Sequence, residues 1–169
     1  MRRRSDSDGS GRLVRPAAVA GAFYPAHPGE LSAMVEDALR GAGSATSDAP
    51  VPKAIVVPHA GYIYSAPVAA TAFGRIAPAA EHIRRVVLVG PSHRVPLRGL
   101  AVSGADAFET PLGEVPIDDG LRDLALEQPL VEVDDRAHAL EHSLEVQIPF
   151  LQVVLGDGFE LLPLVAGPC

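Results

Sequence analysis

Cysteine is nearly missing from this chain of 169 residues: the one thiol is Cys169, at its end. An internal disulfide is excluded, which fits a reducing compartment. Long apolar runs are missing too, and nothing approaches the roughly eighteen residues that a membrane-spanning helix needs. Positive charge is scarce: 14 Lys and Arg stand against 21 Asp and Glu, a formal net charge of −7. That balance argues against nucleic acid as the main partner, because phosphate binding needs clustered Lys and Arg. The only basic run, Arg2-Arg3-Arg4, lies in a Ser/Asp/Gly-rich stretch with no apolar segment after it, so it does not read as a secretory signal. The expectation is a soluble cytoplasmic protein.

Hydrophobic residues, in contrast, make up 47% of the chain, enough for a real core. The length suits one domain of ordinary size or part of a larger one. Residues 1–14 are expected to form a disordered polar leader and residues 15–169 one α/β domain. Within it, Ala54-Ile55-Val56-Val57-Pro58-His59 and Val86-Val87-Leu88-Val89-Gly90-Pro91-Ser92-His93 repeat one pattern. Each is a Val/Ile-rich run closed by Gly or Pro, the mark of a buried strand, with a histidine just beyond. Ligands of open parallel sheets bind beyond the carboxyl ends of the strands. Two imidazoles at two such ends can therefore meet in one crevice.

The elements between follow the same logic. Leu31, Met34, Val35, Ala38 and Leu39 keep helical spacing after Pro28-Gly29-Glu30. Ser65 is expected to cap a helix to about Ile76, with Pro67 in its first turn. Strands are expected at 53–57, 85–89, 100–103, 131–133 and 161–165, the first two forming a parallel βαβ pair. Phe108-Glu109-Thr110-Pro111-Leu112-Gly113 reads as turn-rich, and a short helix is expected to begin at Asp118 or Asp119. Leu144, Ile148, Leu151 and Leu155 share a helical face that Pro149 should kink or divide.

His138, Glu141, His142 and Glu145 form a second cluster. On one helix His138 and His142 stand at i and i+4, a spacing that can chelate zinc and is equally common on a solvated face. Alternatively His142 reaches the pocket as general acid or base, oriented by Glu141 or Glu145. His27 and His82 read as surface residues. Tyr62 and Tyr64 flank the His59 loop, either to offer a hydroxyl to a ligand or to pack beneath it.

Together these motifs resemble the Memo family, whose bacterial members are called AmmeMemoRadiSam system protein B. The resemblance rests on Ala22-Phe23-Tyr24-Pro25, Pro58-His59-Ala60-Gly61-Tyr62, Gly90-Pro91-Ser92-His93, Thr110-Pro111-Leu112-Gly113 and Glu141-His142-Ser143-Leu144-Glu145-Val146-Gln147-Ile148-Pro149. It implies a class III extradiol dioxygenase-like fold, a central mostly parallel or mixed sheet flanked by helices. It also implies that His59 and His93 match two iron-ligand histidines, with Fe(II) the expected cofactor. Copper and zinc stay open, because two imidazoles suit all three metals. A radical SAM protein and a second small component of the AmmeMemoRadiSam system are the implied partners. The family's second half carries a Ser-Ser-Asp segment and then a Cys-Gly cysteine ligand, neither of which this chain has. Cys169 does not match that cysteine, so no third ligand is carried over. A chain truncated at its C-terminal side is the corresponding expectation, with uncovered sheet edges and self-association as its consequences.

Three readings follow. One is a metal-binding, dioxygenase-like protein with metal on His59 and His93 and His142 as its catalytic proton carrier. Another is a non-catalytic ligand- or partner-binding module using the same pocket. The third is a zinc site on His138 and His142. No reaction or substrate follows from these residues.

Overall fold

The computed structural model describes residues 11–43 and 50–167. The fold is α/β, with two mixed sheets flanked by helices. A three-stranded sheet has the order β1 (Val14–Arg15), β4 (Ala107–Thr110), β5 (Gly113–Pro116). The other is four-stranded, in the order β2 (Arg85–Pro91), β7 (Glu160–Ala166), β3 (Leu100–Val102), β6 (Val131–Val133). In it β2 runs parallel to β7 and β3 parallel to β6, while β3 and β7 are antiparallel.

The helices separate onto the faces of the larger sheet as strand alternation dictates. α1 (Pro28–Gly41), α2 (Tyr62–Phe73) and α5 (Ile148–Leu155) enclose the main core, which takes Leu161 of β7 and the inner side chains Val86 and Leu88 of β2. Leu162 and Leu164 point to the other face, where Leu121 and Ala125 of α3 (Asp119–Leu126) cover them. By register Val87 and Val89 share that face with Leu162 and Leu164, yet they are 54% and 57% exposed. α3 covers β7 and β3 and stops short of β2.

Several expectations need correction. Residues 53–57 carry no strand pairing, so the βαβ pair of 53–57 with 85–89 does not form; β2 takes its parallel partner from β7 instead. A strand needs a neighbour as well as an apolar run, and here the neighbour is elsewhere. α2 begins at Tyr62, not Ser65, and Ser65 lies inside it with its hydroxyl on the Ala60 carbonyl. The segment that reads as turn-rich is a hairpin: β4 and β5 pair with Thr110 opposite Gly113, and only Pro111 and Leu112 turn. Of the two effects expected of Pro149, division of the helical run is the one observed, not a kink in a continuous helix. Pro149 stands in the first turn of α5, after a 3₁₀ turn at Glu145–Gln147, where its missing N–H costs nothing.

Other elements form where expected. Asp118 caps α3, its side chain accepting from the Leu121 N–H, and Asp134 caps α4 (Asp135–Ala139). Among the described residues, secondary structure starts at Val14, within the stretch expected as leader, and Leu13 N–H donates to Asp106. Residues 1–10, most of the 43–52 loop and Cys169 lie outside the described residues. Among those described, no helix is long and apolar enough to cross a membrane.

Candidate metal centre

His59 follows Pro58 and precedes α2. Its loop is fixed from two sides: the Gln147 amide donates to the Pro58 carbonyl at 3.1 Å, and Ser65 Oγ to the Ala60 carbonyl at 2.8 Å. His93 lies just past β2. There Ser92 N–H donates to Ala166 O, extending the β2–β7 pairing by one residue, and Ser143 Oγ donates to the Pro91 carbonyl at 2.9 Å. The sequence places a histidine at each junction, and the fold brings the two junctions together.

Glu141 holds His93 by two bonds. His93 N–H donates to Oε2 at 2.6 Å, and His93 Nδ1 lies 2.9 Å from Oε1. Oε1 also accepts from the backbone N–H groups of His142 and Ser143. Burial alone would raise this carboxyl. The N–H groups of His93 and Ser143 and the His93 ring outweigh burial and hold it down at about 2. The ionised carboxylate only accepts, so the proton of this bond is on His93 Nδ1, which leaves Nε2 as the nitrogen turned to a ligand.

His142 completes the group. One ring nitrogen from each of His59, His93 and His142 can be chosen so that all three lie within 4.8 Å of one another. The ring centres are 5.2 Å apart for His59 and His93, 5.9 Å for His59 and His142, and 4.6 Å for His93 and His142. A metal about 2.1 Å from each nitrogen lies roughly 3.2 Å from each ring centre, so tetrahedrally disposed rings stand about 5 Å apart. The three rings therefore fit around one ion. Phe23 closes one side, its ring 4.5 Å from that of His142. Burial lowers the proton affinity of His142; Glu141 opposes this, while His93, His59 and Arg94 add to it. A neutral imidazole is what a cation requires.

The expected zinc pair does not assemble. α4 ends at Ala139, and His138 turns inward, buried, with Nε2 3.0 Å from the Ala101 carbonyl and its ring edge-on to Phe108. Glu145 does not orient His142 either. It is fully buried against Arg15, and Tyr24 Oη donates to it at 2.5 Å. Glu141 Oε1 is 3.3 Å from His142 Nδ1, but its ring hydrogen bond goes to His93. Tyr62 packs under the loop and donates to the Val146 carbonyl at 2.7 Å, whereas Tyr64 is exposed, as are His27 and His82. Sequence reasoning missed the holding roles of Ser143 and Gln147. Their one visible signal was their place in the same motif as His142.

His138 gives a pH test of the fold. Burial pulls its pKa from 6.5 to about 4, against a partly compensating bond to Ala101. A group whose folded pKa is depressed binds protons more readily unfolded, so its effect is nil above about 6.5 and destabilising below. The unfolding free energy from urea denaturation should fall as pH drops from 6.5 towards 4, by roughly 3 kcal/mol over that window. His138→Gln should flatten the slope. An unchanged slope would contradict the buried neutral imidazole.

Comparison with known proteins adds the family. Residues 15–168 match the model for "Memo-like protein". A "MEMO1 family protein" of Aquifex aeolicus is 45% identical over 152 residues, covering 90% of this chain and 54% of its own length. One of Ignicoccus hospitalis is 44% identical over 161 residues, covering 90% and 56%. One of Sulfolobus acidocaldarius is 36% identical over 163 residues, covering 90% and 57%. The chain spans about half the length of the curated relatives it matches.

Proposed function

Starting from a chain that belongs to the Memo family, we propose that it holds a non-haem metal, Fe(II) first among candidates, on His59 and His93. The observation that carries this is the convergence of three imidazoles, one from the Pro58 loop, one from the end of β2 and one from the motif loop after α4. A bound Fe(II) would supply Lewis acidity and redox chemistry, with positions open to O₂ or a phenolic ligand. Copper and zinc are the alternative ions. The protein's own part is to present unprotonated nitrogens, to fix His93 through Glu141, and to exclude water on the Phe23 side. His142 is the next nitrogen in the pocket, and it either joins the metal or takes a proton from a ligand bound there. The dioxygenase-like relationship stays a proposal about fold ancestry, and no reaction is assigned.

The proposed setting is the cytoplasm, within the AmmeMemoRadiSam system, with a radical SAM protein and a second small component as partners. The single cysteine and the resemblance to the family's bacterial members support this. Self-association is proposed as well, through β2 at the end of its sheet, where Val87 and Val89 are exposed; Val56 at 98% exposure adds a further apolar contact. Light scattering at rising concentration should give a mass above the 17.6 kDa of one chain. Val87→Lys with Val89→Lys should suppress it. A concentration-independent monomer would count against the idea.

The test of the metal reading is an anaerobic Fe(II) titration of the chain beside His59→Ala and His93→Ala. Stoichiometric micromolar binding, lost in both variants, is the expected result. A folded chain that takes up no metal would leave the binding-module reading, in which the histidines only donate hydrogen bonds to a ligand.

A further inference from the structure

Resting on that metal reading, we infer that His142 is the third protein ligand of the ion, and that Glu141 is the carboxylate that holds His93 and His142 around it. The alternative role, proton carrier beside a two-histidine site, fits the geometry less well.

The spacing comes first. His142 is not a remote neighbour of a two-histidine pair. Its ring is closer to His93, at 4.6 Å, than His59 is, at 5.2 Å. All three rings stand at separations expected of imidazoles sharing one ion. A proton carrier would stand one ligand layer farther out, beyond the atom it protonates.

Hydrogen bonding comes second. His142 Nδ1 is buried and has no hydrogen-bond partner among the described residues. Buried polar atoms of this kind are rare and call for an occupant. The atom lies 3.3 Å from Glu141 Oε1, close but not aligned for a hydrogen bond. With the other nitrogen on a metal, Nδ1 must carry the proton, and a small ring rotation aims that N–H at Glu141. A metal on the other nitrogen is thus compatible with satisfying this ring at both nitrogens.

The carboxylate comes third. Oε1 of Glu141 faces Nδ1 of both His93 and His142, and it is anchored by the backbone N–H groups of His142 and Ser143. A carboxylate behind a ligating histidine fixes its tautomer and raises its basicity. With the His142 ring rotated as above, one carboxylate would do so for two rings at once. The sequence Glu141-His142 makes this possible, since the residue before the ligand reaches back over it to His93. The assignment gives this chain three nitrogen donors of its own, with Cys169 not required.

Co(II), an optical probe for such sites, tests the assignment in the full chain. The variants are His59→Ala, His142→Ala, His142→Asp and Glu141→Gln, with circular dichroism to verify folding. Wild type should bind one Co(II) with visible ligand-field bands. His142→Ala should weaken binding at least about a hundredfold and alter the bands, while His142→Asp, which keeps a donor, should recover part of the affinity. Glu141→Gln should weaken binding roughly 10–100-fold with the bands retained. If His142→Ala or His142→Asp binds as tightly as wild type with the same spectrum while His59→Ala does not bind, the inference is overturned and the two-histidine site stands. If His59→Ala binds like wild type, or the folded wild type takes up no Co(II), the metal reading itself fails, and the inference with it.

Discussion

Glu145→Leu is expected to lose about 3–5 kcal/mol of stability, since it strands a buried arginine. Glu145 is 0% exposed. Its carboxylate accepts from Arg15 Nη1, from the backbone N–H groups of Ala18 and Val19, and from Tyr24 Oη. Burial and this carboxylate push the Tyr24 phenol well above its ordinary range, so it stays a donor. Arg15 spends its other donors on the carbonyls of His138 and Glu141, at 3.0 and 2.8 Å. The pair thus ties β1 and the Ala18–Tyr24 stretch to the segment carrying Glu141 and His142. Arg15→Met should cost a similar amount, and the double variant should lose clearly less than the two single losses added. Urea denaturation followed by circular dichroism reads all three. A Glu145→Leu midpoint equal to the parent's would sink the argument.

The second large effect is expected at Gly99. Its φ is +83°, and a Cβ there would lie 2.1 Å from the Leu130 carbonyl oxygen and 2.7 Å from Leu130 Cβ. That oxygen accepts the Leu100 N–H at 2.8 Å, and the Gly99 carbonyl accepts the Gly167 N–H at 2.8 Å. The junction joins the start of β3 to the approach to β6 and to the end of β7, so neither side can retreat without breaking a pairing. Gly99→Ala should lose roughly 3 kcal/mol or more, combining left-handed backbone strain with forced displacement. Gly21→Ala separates the two causes. Its φ is +79° and the added Cβ meets only Ala26 Cβ at 3.6 Å, an ordinary contact. It should lose about 1–2 kcal/mol, the strain alone. Equal losses in thermal melts of the two variants would mean that the Leu130 clash is relieved at no cost.

The two histidine junctions were legible because each is local: an apolar run, a stop and a histidine, although only the run at 85–89 forms a strand. That the two histidines meet was expected from a rule of α/β sheets, yet only His93 follows a paired strand, so the convergence rests on the contacts that hold the Pro58 loop. Which strand lies beside which was not legible. The run at 53–57 has the composition of a strand and no partner, whereas β4 and β5 are strands inside a segment full of turn residues. Both outcomes depend on neighbours distant in sequence. The glutamates show the same limit. Glu141 and Glu145 look equivalent as a pair flanking His142. One holds His93, and the other belongs to Arg15, a residue whose sequence context announced only where the ordered chain begins.

One short segment is the datum from which the whole centre is measured. Glu141 fixes His93, Ser143 takes the Pro91 carbonyl, and Gln147 takes the Pro58 carbonyl. The two histidine loops are therefore located against a common gauge and not through the chain that runs between them. Positional error does not accumulate along α2 and the 3₁₀ turn at Ala77–His82. Surface insertions or deletions in that connection can change its path while the imidazoles stay in register, whereas one residue added between Glu141 and Gln147 would shift one loop relative to the other. Length variation among relatives should accordingly be tolerated between the histidines and excluded from this segment.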